Sequence, residues 1–262
     1  MFRALHTAAS GMVAQQTNLD NVANNLANAS TTGFRRRRLQ FQDLMYQSVV
    51  MPGSATTQQT VSSGLQVGLG TRSAATEVIH NQGDFTSTGN PLDFAIQGNG
   101  FFQIKLPSGD TGYTRSGNFQ MDSQGNVVTS DGNPLLPSIT IPNNATNITI
   151  GSDGTVSVTQ PGQAQAQQVG QIQLAMFPNP GGLNSVGSNL FLQTTASGDP
   201  IVGVPGGSDG LGTLQQGMLE QSNVSLVDEF VQMILAQRSY EANSRAVSAA
   251  DQMLQQLNSL GR

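Results

Sequence analysis

Near the start of the chain, apolar side chains fall at Leu5, Met12, Leu19 and Leu26, seven residues apart, with Ala8 and Val22 at intermediate positions and Gln15 between them. A seven-residue repeat places such residues on one stripe of an α-helix, so the pattern predicts a helix that buries a seam against another helix. The run from Asn24 to Gly33 ends it, because Asn, Ser and Thr compete with the helix backbone for hydrogen bonds and Gly33 can take a left-handed conformation. The other end of the chain repeats the pattern. Ser225 followed by Asp228 suits a helix-capping box, and a second series begins at Leu219 and continues through Leu226, Met233, Tyr240, Val247 and Leu254. Phe230, Ile234 and Leu257 widen this stripe, while Gln237, Ser244 and Asp251 make its alternate seam polar, as suits a helix with several neighbours. Two helices of matched period predict a coiled coil between the chain's ends that packs against other copies. Periodicity alone leaves equally open two terminal helices packed on their own domain.

Between the helices the period changes to two. Residues 94–106 alternate around two glycines, Ile139, Ile141, Ile148 and Ile150 alternate cleanly, and turn sequences such as residues 122–126 and 130–134 recur every 8–12 residues. The fold class is therefore α+β: long N- and C-terminal helices pairing as a coiled coil, with an antiparallel all-β middle domain. The expected divisions are 1–34 for the N-terminal helix, 35–70 for an extended linker, 71–217 for the β-domain and 218–262 for the C-terminal helix. Within the linker, residues 51–64 hold few core-forming side chains and read as an arm that orders on a partner. Arg35, Arg36, Arg37 and Arg38 open the linker, and guanidinium groups pair bidentately with carboxylates, so these four are expected to contact an acidic patch on a neighbouring subunit.

Composition narrows the function. Only 10% of the 262 residues are charged, the net charge is −5, and 29 Gln and 20 Asn fill the polar surface. Ordinary soluble proteins carry roughly 25% charged residues. An acidic chain lacks the broad basic surface of a nucleic-acid binder. With no cysteine, disulfides and thiolate metal sites are excluded. No apolar run is long enough for a membrane-spanning helix, and the first residues do not read as a secretory signal. The two histidines, His6 and His80, have no partner at ligand spacing, and Glu77 is the only glutamate from 71 to 217, which leaves no carboxylate pair for glycosidase chemistry. The reading is a non-enzyme, with no cofactor, no metal, no nucleic acid and no stable membrane insertion.

Two long stretches carry a resemblance. Residues 18–35, NLDNVANNLANASTTGFR, are similar to the N-terminal signature of the bacterial flagellar rod and hook family. Residues 222–230, SNVSLVDEF, with 237–245, QRSYEANSR, are similar to its C-terminal signature, and residues 89–103 and 113–119 resemble its internal pieces. The motif residues are Asn21, Asn24, Asn25, Asn28, Thr32, Gly33 and Phe34 at one end, and Asn223, Gln237, Arg238, Tyr240 and Glu241 at the other. The resemblance implies a structural subunit of the distal rod that polymerises helically into a hollow drive shaft, transmits torque to the hook and lets export substrates through. A proximal rod or hook-type axial subunit is the alternative, and a periplasmic peptidoglycan-acting or binding protein a more distant one. It also implies terminal helices lining an inner tube and a linker that stiffens the joint. The implied partners are further copies of the chain, proximal rod and hook proteins at the ends, the surrounding P and L rings, and transiently the rod cap and export apparatus. The implied location is the periplasm-spanning rod of the basal body, reached by type III export without a cleaved signal peptide.

Overall fold

Each end of the chain is a single long helix, α1 (Phe2–Ala27) and α2 (Leu226–Leu260). A computed structural model describes residues 2–50, 55–56, 59–60, 64–162, 165–207 and 210–260. By contact the chain divides into two units, residues 1–27, 37–78 and 225–262 in the first, and 28–36 with 79–224 in the second.

In the first unit α1 and α2 pack along each other, and α1 also packs on two strands, β1 (Arg37–Asp43) and β6 (Thr71–Val78). Those strands pair antiparallel, from Arg37 opposite Val78 to Asp43 opposite Thr71. The same register continues outward through β2 (Tyr46–Val50) on β5 (Leu65–Gly68), and β3 (Ala55–Thr56) on β4 (Gln59–Thr60). The region expected as an extended linker is thus, where described, a two-stranded ribbon. The ribbon escaped a period-two reading because its alternation is short, Leu39 and Phe41 on β1 and Leu65 and Val67 on β5, and most side chains on β1, β2 and β5 are exposed on both faces. Of the predicted arm 51–64, residues 51–54, 57–58 and 61–63 lie outside the described residues.

Ser225 caps α2 as its sequence suggests: its hydroxyl accepts from the Asp228 N–H at 3.4 Å, and Asp228 and Glu229 occupy the first turn, where the helix dipole favours negative charge. Leu219 does not belong to this helix. It lies in the strand Met218–Glu220, opposite Thr86, and the heptad series starts at Leu226.

The second unit is almost entirely antiparallel β. Strands β7 (Phe85–Ser87), β8 (Phe94–Gln97), β9 (Phe101–Lys105) and β10 (Thr111–Thr114) open it. The largest sheet has β9 at its centre, hydrogen-bonded to β10, Leu174–Met176 and Leu135–Leu136. β7 and β8 pair instead with Met218–Glu220 and Thr213–Gln216. β9 is buried on both faces except at Lys105, which explains its nearly continuous apolar run. On one face Phe102, Phe94 and Phe119 cluster with ring centroids 4.8–5.7 Å apart, surrounded by Ile96, Ile104, Leu135, Ile139, Ile141 and Leu174.

Candidate assembly interface and junction residues

Two contacts fix the register of the helix pair. The Asn25 amide donates to Glu229 Oε2 at 3.2 Å, and a Cβ placed on Gly11 would lie 2.8 Å from Asn243 Nδ2. The helices therefore run antiparallel. Burial agrees: Ala8, Ala14, Val22 and Asn25 are buried on α1, and Glu229, Ala236 and Ala250 on α2. The seam is built from small and polar residues, so the backbones approach closely. Gly11 sits where a larger side chain would push against Asn243.

The sequence-predicted core residues divide between two places. Leu5, Met12, Leu19 and Leu26 are half-buried beside the seam, as are Met233, Val247 and Leu254 on α2, and Val22 is fully buried. The second seam of α2 is Glu229, Ala236, Asn243 and Ala250, while Gln237, Ser244 and Asp251 are exposed. Leu226, Phe230, Ile234 and Tyr240 do not reach the α1 seam. Leu226, Phe230 and Ile234 join Val227, Val231 and Leu235 in an exposed apolar surface at the start of α2, with Val227 72% and Ile234 55% accessible. The side chain of Leu257 lies outside the described residues. A second exposed apolar set lies on the ribbon, where Met45 is 85% accessible and Tyr46, Val49 and Leu65 more than half accessible. Contiguous apolar surface of this kind marks an interaction site.

The motif asparagines hold backbone. Asn25 grips residue 37 from both sides: its Nδ2 donates to the Arg37 carbonyl at 2.8 Å and its Oδ1 accepts from the Arg37 N–H at 2.9 Å, while Asn21 Nδ2 donates to the same carbonyl at 2.9 Å. In the second unit Asn223 does the corresponding work. Its Oδ1 accepts from the Arg36 N–H at 2.6 Å, and its Nδ2 donates to the carbonyls of Ile79 and Asn81 at 2.8 and 2.9 Å. A planar amide offers one acceptor and two donors side by side, which is what a gap between two chain segments needs. Asn24 is exposed, and Asn28 accepts from the Thr31 hydroxyl at 3.2 Å just past the helix end. Thr32 meets the Ser116 hydroxyl at 3.2 Å, Phe34 is buried, and Gln237, Arg238 and Glu241 stand exposed on α2 with Arg238 bonded to Glu241 at 3.1 Å. Gly33 is not the helix cap. It has φ +69°, its N–H donates to the Glu220 carbonyl at 2.8 Å, and a Cβ there would fall 2.6 Å from the Ser116 nitrogen.

Two of the four arginines expected to meet a neighbour's acidic patch are paired within the chain. Arg35 is buried, and its Nη2 pairs with Glu220 Oε1 at 2.8 Å. Arg115 pairs with Glu220 Oε2 through Nε at 3.0 Å and donates to the carbonyls of Ile96, Gly98 and Gly100. Burial pulls the Arg115 pKa down to about 10, partly opposed by Glu220. Arg38 pairs at the surface with Glu77 at 2.8 Å, and this bond, with a second from Gln40, holds the Glu77 carboxyl below its usual range. Arg36 is half-buried, and the Arg37 backbone is held by Asn25 as described. Phe34 carries Arg35 inward with it, and two members of the cationic run, Arg35 and Arg38, find carboxylates within their own chain, one buried and one at the surface. Sequence reasoning missed Glu220 and Arg115. Their signal was weak: a lone Glu ending a strand, and a lone Arg just past a strand between Thr114 and Ser116, each an ionisable group that burial tolerates only when paired.

Among the described residues no group of three or more His, Asp or Glu converges to hold a metal, and no helix is long and apolar enough to cross a membrane.

Comparison with known proteins matches three family models along the chain. Residues 5–35 match "Flagella basal body rod protein", 95–158 match "Flagellar hook protein FlgE/F/G D1 domain", and 215–260 match "Flagellar basal body rod FlgEFG protein C-terminal". The chain is 51% identical to the flagellar basal-body rod protein FlgG of Caulobacter vibrioides, over 98% of this chain and 99% of that one. It is 49% identical to the FlgG of Borreliella burgdorferi and 40% identical to that of Bacillus subtilis, each over the full length of both chains. The third match covers the segment that leads into and contains the exposed apolar surface of α2. This chain belongs to the FlgG family of flagellar basal-body rod proteins.

Proposed function

We propose that the chain acts as a torque-bearing subunit of the distal rod by stacking through its helical unit into a hollow helical polymer. As a member of its family it is a structural protein of the flagellar basal body and not an enzyme. The observation that carries the mechanism is the apolar surface of Leu226, Val227, Phe230, Val231, Ile234 and Leu235, which α1 leaves uncovered although the opposite face of the same helix is already satisfied. Left in water, such a surface costs roughly 25 cal/mol per Å² that neighbouring copies would recover on burial. The α1–α2 seam, spaced three and four residues apart on both helices, supports a coiled-coil pairing within each subunit, and the exposed face supports packing between subunits. A surface patch that binds a different patch on the next copy, with a rotation that does not close on itself, generates an open helix, as a shaft requires.

In this reading Leu5, Met12, Leu19 and Leu26 and the α2 residues Phe230, Ile234 and Tyr240 make inter-subunit contacts, the ribbon stiffens the joint, and the motif asparagines hold the strand crossings under load. Proximal rod and hook proteins at the ends, ring proteins around the shaft, a periplasm-spanning position and export without a cleaved signal complete the proposal. Electron microscopy of the concentrated full-length chain tests it: straight hollow filaments support the reading, and a protein that stays monomeric at every concentration overturns it.

A further inference from the structure

The junction in the second unit is not electrically balanced. Arg35 and Arg115 face a single carboxylate, Glu220, whose Oε1 is also engaged by the Gly83 N–H at 3.0 Å. All three residues are at least nine-tenths buried. Both arginines line a cleft of about 530 Å³ whose walls include His80, Phe101, Phe177 and Pro178, and which has no Asp or Glu in its lining. The polar groups at this wall are incompletely used. Arg35 spends Nη1 on the Asn81 carbonyl and Nη2 on Glu220, but its buried Nε has no hydrogen-bond partner, and the His80 ring meets only the Pro180 carbonyl, without good hydrogen-bond geometry. Buried donors without partners are uncommon and ask for an explanation.

We propose that this cleft is a carboxylate-binding site, in which the Arg35 guanidinium and the His80 imidazole receive the acid group and Phe101 and Phe177 cover its hydrocarbon part. One excess positive charge is neutralised by one monoanion, whereas a doubly charged phosphate would leave a buried charge of the opposite sign. The aromatic wall selects an acid that carries an apolar stem over a bare inorganic anion. His80 is the internal reporter. Burial, and then the charge of Arg35, hold its pKa at about 4, with the Pro180 carbonyl offsetting only part of this. An anion placed beside the ring favours the imidazolium and raises that value.

This proposal stands apart from the assembly reading, because the acid group has two possible sources, a free organic acid or an Asp or Glu side chain of another copy. The test follows the His80 ring signals by NMR in the dilute full-length chain during titration with sodium propionate. The controls are sodium chloride at equal ionic strength and propionamide, which has the same shape without the charge. Binding predicts a saturable shift with propionate, a titration midpoint raised by a unit or more, and, read from the backbone amide of Phe101 on the cleft wall in both proteins, a tenfold or greater weakening in His80→Gln, a variant that leaves the Arg35–Glu220–Arg115 group in place. A second arm raises the chain concentration with no acid added. Movement of the His80 signal there, with no further response to propionate, assigns the acid to a neighbouring copy; response to propionate alone assigns it to a free acid. If propionate acts no differently from chloride or propionamide and concentration has no effect, the cleft is not a carboxylate site, whether or not the chain forms filaments.

Discussion

Replacing Glu220 by Gln keeps the side-chain shape and removes the charge on which Arg35 and Arg115 converge. Both Glu220 oxygens are engaged, by Arg35 at 2.8 Å, Gly83 at 3.0 Å and Arg115 at 3.0 Å, in a side chain with no solvent exposure. A Gln amide retains one acceptor and turns its NH₂ toward one of the guanidinium groups, so two buried cations are left without a counter-charge. Removing one partner of a buried ion pair costs about 3–5 kcal/mol. The two pairs share one carboxylate and do not add, so about 3–5 kcal/mol is the expected loss in the second unit. With a urea dependence of about 2 kcal/mol/M the unfolding midpoint falls by about 2 M. The two units need not unfold together, so the readout is hydrogen exchange of the β9 amides, which lie at the centre of the largest sheet in that unit. A midpoint within about 0.3 M of the parent would refute the claim that Glu220 holds the junction. Arg115→Met should cost at least as much, because it strips donors from the carbonyls of Ile96, Gly98 and Gly100 as well.

Three further outcomes follow from the same geometry. Asn25→Ala removes two bonds to residue 37 and one to Glu229, and should destabilise the helical unit by about 2–4 kcal/mol in hydrogen exchange of α1 while the β9 amides are unaffected. Gly33→Ala forces a side chain into a left-handed backbone position and against the Ser116 nitrogen, and calorimetry should show a loss of more than about 2 kcal/mol. His80 has its folded pKa at about 4, below the ordinary 6.5, so the unfolded chain takes up a proton that the fold refuses. Its stabilising effect is complete above pH 6.5 and is lost as the pH falls toward 4, by about 3 kcal/mol. In chloride buffer the difference in stability between parent and His80→Phe should change by that amount across the window, and parallel pH profiles would contradict it.

How much of this was legible in the sequence differed by element. The heptads at Met12, Leu19, Met233 and Val247 placed both helices, because a seven-residue period survives whatever the helix packs on. They did not place the seam. The eye follows large apolar residues, whereas the two helices touch through Ala8, Gly11, Asn25, Ala236 and Asn243, where small size and hydrogen bonding let the backbones close. The large residues at Phe230 and Ile234 face the other way, as suits a helix with a partner still to come. The ribbon was hard to read for a related reason: its strands are exposed on both faces, and their alternation is limited to Leu39 with Phe41 and Leu65 with Val67. Arg35 read as one of four arginines meeting a neighbouring subunit's acidic patch because charge is counted along the sequence. Burial is decided by neighbours such as Phe34 and by a carboxylate 185 positions away, at Glu220. The asparagine motif was visible as a motif, but its physical use, one amide satisfying two segments of backbone, needed the contacts of Asn25 and Asn223.

The account's central claim is that the exposed apolar face of α2 is covered only when copies stack. Phe230→Asp combined with Ile234→Asp measures it most directly, since both side chains are more than half exposed in the single chain. The variant monomer should keep the parent's unfolding free energy within about 0.5 kcal/mol per site. At concentrations where the parent forms filaments, sedimentation and electron microscopy should find only monomers. Filaments of the variant with the parent's abundance and length would contradict the claim.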